Sequence, residues 1–342
     1  MKNKSTTVIG NKSFKWTEKT FVMGVINVTQ DSFSGDGINL DVDLAVKKAV
    51  EFEQHGCDII DVGGESTRPS ITYSNTGFTP LEVEKSRVIP AIEAISKAVS
   101  VPVSVDTYKA SIAEDAIRSG ASLVNDVWGL TKDVRMASLV AEAGIPVVLM
   151  HNQDHTFYVD LLKDIINRLK ELKDNAMNSG IPEEKIILDP GIGFGKTTRQ
   201  NLELFRCLEY LNDLNSPILI GSSRKSTIGK ILDLPPDQRL EGTAATVAIS
   251  ILKGVDIVRV HDVKEMMQVV KMADAIVINK ADGDNLKASK TAKVEFNRAL
   301  HLYPEKESGW SPKVSLCSAL KKEGISDVWE LIQDYITTTS SN

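Results

Sequence analysis

The sequence predicts an α/β protein: a (β/α)8 TIM barrel followed by a small C-terminal α/β appendage. Three observations carry this reading. Eight short apolar runs recur between residues 21 and 262, each is followed by a stretch with helix-like spacing, and each ends in a polar or charged cluster. Runs of Val, Ile and Leu with little alternation are what parallel strands covered on both faces require. In such a barrel the chemistry sits where strands end, on the loops leading into the helices.

The strands follow in order. FVMGVIN (21–27) ends in Asn27, with Asp31 just beyond; CDIIDVGGEST (57–67) ends in Glu65 and Thr67, followed by Arg68. VPVSVDT (101–107) carries Asp106, ASLVNDV (121–127) carries Asn125, and IPVVLMH (145–151) ends in His151. KIILDPG (185–191) presents Asp189, SPILIGSSRK (216–225) presents Arg224 and Lys225, and VDIVRVHD (255–262) presents Arg259 and His261. Between them, DVDLAVKKAVEFEQHG (41–56) and LEVEKSRVIPAIEAISKAV (81–99) space their apolar residues as amphipathic helices do. Topology alone makes these strand-end residues candidates for the site.

Bulk properties bound the function. A barrel of this kind takes about 260 residues, so the division expected in this chain of 342 is a barrel over 1–274 and an extension over 275–342. A net charge of −6 leaves no basic excess to release counterions, which argues against nucleic acid as a partner. MKNKSTTVIGNKSF lacks the apolar core of a signal peptide. Lys253, Asp256 and Arg259 interrupt the most apolar long stretch, 243–260, so no membrane span is expected. Three cysteines, Cys57, Cys207 and Cys317, show no metal-type spacing and read as reduced thiols of a cytoplasmic protein.

Several strand ends are more specific than topology requires. MGVINVTQDSFSGDG (23–37), DVGGESTRP (61–69), SVDTYK (104–109), NDVWGL (125–130), DPGIGFGKT (189–197), SSRKSTIG (222–229) and RVHDVKE (259–265) occur in this order. Together they resemble the dihydropteroate synthases over about residues 15–274. The resemblance implies a transferase of folate biosynthesis that joins 6-hydroxymethyl-7,8-dihydropterin pyrophosphate to p-aminobenzoate, releasing pyrophosphate, with Mg2+ as cofactor, and a homodimer.

It also implies roles. A pterin edge offers paired donors, which a fixed carboxylate accepts in charge-assisted bonds. Asp189 matches that position, with Asn125, Asp106 and Lys225 as further polar partners and Met150 and Phe194 as apolar surface. Arg259, His261, Arg68 and Asn27 are implied at the pyrophosphate, Asn27 also as a Mg2+ ligand. Mg2+ prefers few protein ligands beside phosphates and water, so a lone amide oxygen is consistent. Thr67, Pro69, Ser223 and Arg224 are implied at p-aminobenzoate. Lys225, Arg259, His261 and Asp106 are the implied catalytic set, acting by positioning and electrostatics. NVTQDSFSGDG and STRPSITYSNTGF resemble the family's two closing loops.

The departures concern loops. Gln30 stands where the family usually has Pro, GDG where DGG is usual, 70–80 is longer and 151–157 shorter. They bear on p-aminobenzoate and on the sulfonamides that mimic it. GFGKTT (193–198) looks like part of a GxxxxGK[ST] phosphate loop, but the first glycine would fall on Pro190, and that reading is set aside.

After residue 274, DAIVINKADGDN (274–285) and PKVSLCSAL (312–320) read as strands ending in NKAD and SAL. The stretch 272–338 resembles the G-protein chaperones of methylmalonyl-CoA mutase. No phosphate loop precedes it, so the expectation is an appendage, not guanine binding by Asn279, Lys280 and Asp282. Two alternative functions stand beside the main one: a methyltetrahydrofolate:corrinoid methyltransferase, and a non-catalytic guanine-nucleotide module. VAISILKG (247–254) and VKEMMQVVKM (263–272) are apolar enough to face a partner subunit.

Overall fold

The computed structural model describes residues 4–16, 19–28, 42–65, 79–272, 275–278, 281–287, 289–291, 293, 313–318 and 321–339. The chain divides into two compact units, Met1–Trp16 with Thr20–Met267, and Thr17–Lys19 with Gln268–Asn342.

The first unit is the barrel. After a hairpin of β1 (Thr7–Ile9) and β2 (Lys12–Phe14) come β3 (Phe21–Asn27), α1 (Val42–Gln54), β4 (Ile59–Gly63), α2 (Leu81–Ala98), β5 (Val103–Asp106) and α3 (Ala110–Arg118). Then follow β6 (Leu123–Asp126), α4 (Met136–Ala143), β7 (Val147–Met150), α5 (Leu161–Asn178), β8 (Ile186–Asp189) and α6 (Thr198–Arg206). The last barrel elements are β9 (Leu219–Ile220), α7 (Ser226–Leu232), α8 (Leu240–Leu252), β10 (Ile257–Val260) and α9 (Val263–Met272), whose residues from Gln268 on fall in the second unit. All eight strands run parallel in the order β8-β7-β6-β5-β4-β3-β10-β9, so the eighth unit pairs with the first. A single bridge, Leu188 to Ile218, joins the two ends of the sheet.

The seventh strand is much shorter than its apolar run suggests. Pro217 has no N–H to give the ladder, and the amide of Ile218 donates instead to Asp256 Oδ2 at 2.7 Å. Capping follows local chemistry elsewhere. Asp160 accepts from Lys163 N at the start of α5, and Thr197 with Gln200 forms a reciprocal capping box on α6.

The N-terminal hairpin, which no motif announced, belongs to the strand-start end of the barrel. Ile9, Phe14 and Trp16 pack with Phe21, Ile59 and Ile257, each the first residue of its strand. Trp16 Nε1 donates to Thr7 Oγ1 at 3.0 Å, so the buried indole N–H is satisfied. One end is therefore closed by side chains, and strand ends at the other are left for the site.

The second unit contains β11 (Ala275–Ile278) and β12 (Lys313–Leu316), paired in parallel, and α10 (Ile325–Thr339). Asp282 accepts a hydrogen bond from the Ser318 hydroxyl. Asn279 and Lys280 lie outside the described residues. No described helix is long and apolar enough to cross a membrane.

Candidate active site

Strand ends of the barrel surround a cavity of about 320 Å3, counting the space open at its mouth. Asp106, Asn125, Met150, Asp189, Phe194, Lys225 and Arg259 line it together, with Val127, Ile192 and Gly221. Together they come from the ends of the six strands β5 to β10 and the turns just beyond them. Every residue expected at a pterin is thus in one pocket, and Arg259 is there too.

Electrostatics organises the wall. Arg259 Nε donates to Asp61 Oδ2 and Nη2 to Asp106 Oδ2, both at 2.6 Å, and Asn125 Nδ2 donates to Asp61 Oδ2 at 3.1 Å. Burial works against the guanidinium, but the two carboxylates hold its pKa above the usual arginine value. Burial lifts Asp106 to about 7 against the opposing pull of Arg259. Asp106 Oδ1 is buried without a hydrogen-bond partner among the described residues, so the wall presents an acceptor. Buried polar atoms are rarely left unmatched.

Asp189 is held by its own turn. Gly191 N donates to Asp189 Oδ1 at 2.7 Å. Burial raises the Asp189 pKa, while that amide and then Lys225, Lys196 and Arg259 pull it down. Gly191 has φ +72°, and a Cβ there would lie 2.0 Å from the His151 carbonyl oxygen, so only glycine fits the turn. Across the pocket the Lys225 ammonium sits 4.1 Å from the Phe194 ring centroid, a cation–π distance.

His261 lies beside the cavity. Its Nδ1 is 3.0 Å from Ser223 Oγ, and its backbone N–H donates to the same oxygen at 3.2 Å. Burial first, then the cations Arg259, Arg224, Lys48 and Lys225, lower its pKa to about 3. A pKa this low leaves the imidazole neutral at pH 7, among cations whose summed field favours an anion. Arg224 makes a two-point ion pair with Asp262, Nε to Oδ2 at 3.0 Å. Its φ of +57° is held by Arg239 Nη1 on its carbonyl at 2.9 Å and by Thr243 Oγ1 on its amide at 3.1 Å. Asn27 ends β3, half-buried. Asp31, Thr67, Arg68 and Pro69 lie outside the described residues.

His151, a strand-end candidate, is not in the pocket. It is 2% exposed, and Lys196 Nζ lies 3.1 Å from its Nδ1. Burial and Lys196 lower His151 to about 3, and burial lowers Lys196 to about 7. Lys196 also donates to the carbonyls of Gly191 and Phe194, both at 3.0 Å, and so pins the turn that carries Phe194. Motif reading discarded GFGK as a phosphate loop and passed over this role. Asp61 was missed as well. A carboxylate inside the apolar strand IIDVG was the signal, because burying one without partners is costly.

No group of three or more His, Cys, Asp or Glu side chains that could hold a metal occurs among the described residues. Asn27, at the end of β3, carries an amide oxygen. It suits a hard cation that takes its other ligands from phosphate and water.

The comparisons agree with this geometry. A family model described as pterin binding enzyme matches residues 23–261, and one described as methylmalonyl Co-A mutase-associated GTPase MeaB matches 242–342. The chain is 52% identical over 270 residues to a dihydropteroate synthase of Clostridium beijerinckii, covering 79% of this chain and 98% of that one. A solved dihydropteroate synthase from Clostridium difficile, in the presence of pteroic acid, matches with a TM-score of 0.73 at 47% identity. The match covers 76% of this chain and 98% of that one. Another, from Xanthomonas albilineans with 4-aminobenzoic acid, matches with a TM-score of 0.73 at 35% identity, over 78% and 96%. On fold, pocket and kinship, the chain belongs to the dihydropteroate synthase family of pterin-binding transferases.

Proposed function

We propose that this chain condenses 6-hydroxymethyl-7,8-dihydropterin pyrophosphate with p-aminobenzoate to give 7,8-dihydropteroate and pyrophosphate. The observation that carries the reading is one buried pocket lined by two carboxyl groups, a carboxamide, an ammonium and an aromatic face. Asp189 accepts the paired donors of the pterin edge, and Asp106 Oδ1 takes a further donor. Asn125 can both give and accept, and Lys225 donates to the ring. Phe194 and Met150 cover its faces.

Breaking the carbon–oxygen bond sends the electron pair to pyrophosphate and leaves positive charge on the pterin. The carboxylates Asp106 and Asp189, already oriented, stabilise that charge without reorganising. The amine of p-aminobenzoate then attacks the carbon, and the proton it loses passes to the released pyrophosphate. Arg259 uses two of its five N–H donors on Asp61 and Asp106. With His261, Asn27 and Arg68 it receives the leaving pyrophosphate. Asn27 would hold Mg2+, which neutralises phosphate charge when bound. Thr67, Pro69, Ser223 and Arg224 meet p-aminobenzoate, so sulfonamides compete there.

Mixing the protein with the pterin pyrophosphate, Mg2+ and p-aminobenzoate and following pyrophosphate release tests the assignment. No release, together with cobalamin-dependent methyl transfer or GDP binding, would transfer the case to one of the two alternatives.

A homodimer remains part of the proposal, with a revised surface. Val263, Met266 and Met267 of α9 are buried within the chain, so the apolar side of that helix is already covered. Ile231 and Leu232 of α7 and Ile249 of α8 are exposed and are the better candidates for a subunit contact. The three free cysteines fit a reducing, cytoplasmic setting.

A further inference from the structure

Lys196 is buried and does not line the pocket, yet its hydrogen bonds go to the turn that carries Asp189 and Phe194, two groups that do. That turn has glycine at alternate positions, and Gly191, Gly193 and Gly195 have φ of +72°, +83° and +55°. Glycine gives up more backbone freedom on folding than any other residue, so such a turn does not hold its shape unaided. Neighbouring side chains hold it. Lys196 Nζ donates to the carbonyls of Gly191 and Phe194, both at 3.0 Å, and lies 3.1 Å from His151 Nδ1. Asn201 Oδ1 accepts from the Gly193 amide at 2.8 Å, and Tyr158 OH donates to the Gly195 carbonyl at 2.9 Å.

An ammonium has three N–H donors and no acceptor. With the His151 proton on Nε2, all three donors of Lys196 are taken, and none is left for a phosphate. A buried ammonium holds such partners firmly, because losing one strands a donor away from water. The Phe194 ring is thereby fixed 4.1 Å from the Lys225 ammonium. Asp189, at the other end of the turn, is tied to the same backbone by the Gly191 amide at 2.7 Å. Ordering the turn in advance removes a cost that a flat ligand would otherwise meet on binding.

We propose that Lys196 is a positioning residue for the pterin ring, acting through the carbonyls of Gly191 and Phe194 to set the Phe194 face relative to the Asp189 carboxyl group. This rests on the proposed function, which gives Phe194 a face of the ring and Asp189 its donor edge. The three donors of Lys196 are all spent on His151 and this turn, so its loss falls on the pterin and spares p-aminobenzoate.

The test uses the full-length protein with Lys196→Met and Lys196→Gln. Calorimetry measures pterin pyrophosphate binding alone, and steady-state kinetics at saturating pterin gives the p-aminobenzoate KM. Lys196→Met should raise the pterin Kd about ten-fold or more and leave the p-aminobenzoate KM within about two-fold of wild type. Lys196→Gln, whose amide can still donate to carbonyls, should raise the pterin Kd by less. A role exerted through Phe194 must also fade with the ring. In a Phe194→Ala background Lys196→Met should cost about three-fold or less, because residues that act together are not additive. The same loss in both backgrounds, an unchanged pterin Kd, or equal weakening of both substrates would overturn the proposal. If Lys196→Met does not fold, Lys196→Gln carries the same cycle and the same refutations. If the wild type binds no pterin pyrophosphate, the functional assignment fails separately. The fixing of Phe194 then stands on amide exchange at Gly193 and Phe194 quickening about ten-fold in the variant, and falls if exchange is unchanged.

Discussion

Arg259→Met is the most demanding test of the pocket's electrostatics. The variant keeps the aliphatic stem and removes the guanidinium that bridges Asp61 and Asp106 at 2.6 Å each. Asp61 is fully buried and Asp106 7% exposed, so neither carboxylate can turn to water. Removing one partner of a buried ion pair costs about 3–5 kcal/mol. Part of that is recovered if Asp106 takes up a proton, which burial already encourages by lifting its pKa to about 7. Loss of Arg259 lifts it further.

The sign follows from that direction. A carboxyl whose pKa is raised in the folded protein adds stability below its unfolded value, near 3.9, and loses it as pH rises through the folded value. The variant's deficit should therefore be smallest near pH 5 and approach the full figure near pH 8. Urea unfolding of both proteins at the two pH values measures it. Turnover should fall about 100-fold or more, as for loss of one preorganised donor to a leaving anion. A deficit below about 1 kcal/mol at pH 8, or one independent of pH, would refute the claim that these carboxylates depend on Arg259.

Other perturbations separate the remaining roles. On the proposed function, Asp189→Ala removes two charge-assisted hydrogen bonds to the pterin edge, each worth about 1.5–3 kcal/mol, so calorimetry should show pterin affinity down about 100-fold or more. Affinity within about ten-fold of wild type would sink that assignment. His151 is held near a pKa of about 3 in the folded chain, below its ordinary value of 6.5, so its neutral form adds stability above 6.5 that is lost as pH falls toward 3. His151→Gln lacks this loss, and the stability gap between wild type and variant should therefore shift against the wild type on acidification; a constant gap refutes it. A chain ending at Ala275 should remain folded and release pyrophosphate at the wild-type rate, because barrel closure rests on β10 pairing with β3. Retained folding with lost turnover would show that the C-terminal unit reaches the chemistry.

How far residues speak for themselves differs from place to place. The eight strands, their order and most of the pocket-lining set were legible because each depends on a local pattern. A buried parallel strand is mostly apolar, so a polar residue at its end stands out as a candidate for a site. Asp106, Asn125, Asp189 and Lys225 therefore announce themselves one strand at a time, and the barrel's closure brings them together. The seventh strand was overestimated because an apolar run does not reveal that Ile218 N prefers the Asp256 carboxylate.

Pairings across long sequence distances were decided by the tertiary structure alone. Asp61 and Arg259 are 198 residues apart, and nothing near either one names the other. Glu84 reads locally as an ordinary acidic residue in a first helical turn, and only its burial against Lys109 gives it another purpose. Lys196 sits in a motif whose usual meaning is phosphate binding, yet the fold turns its ammonium onto His151 and two carbonyls. Periodicity determines which face of an element is buried. Which charges then meet inside depends on the curvature and register of the closed sheet, and no single segment contains that information.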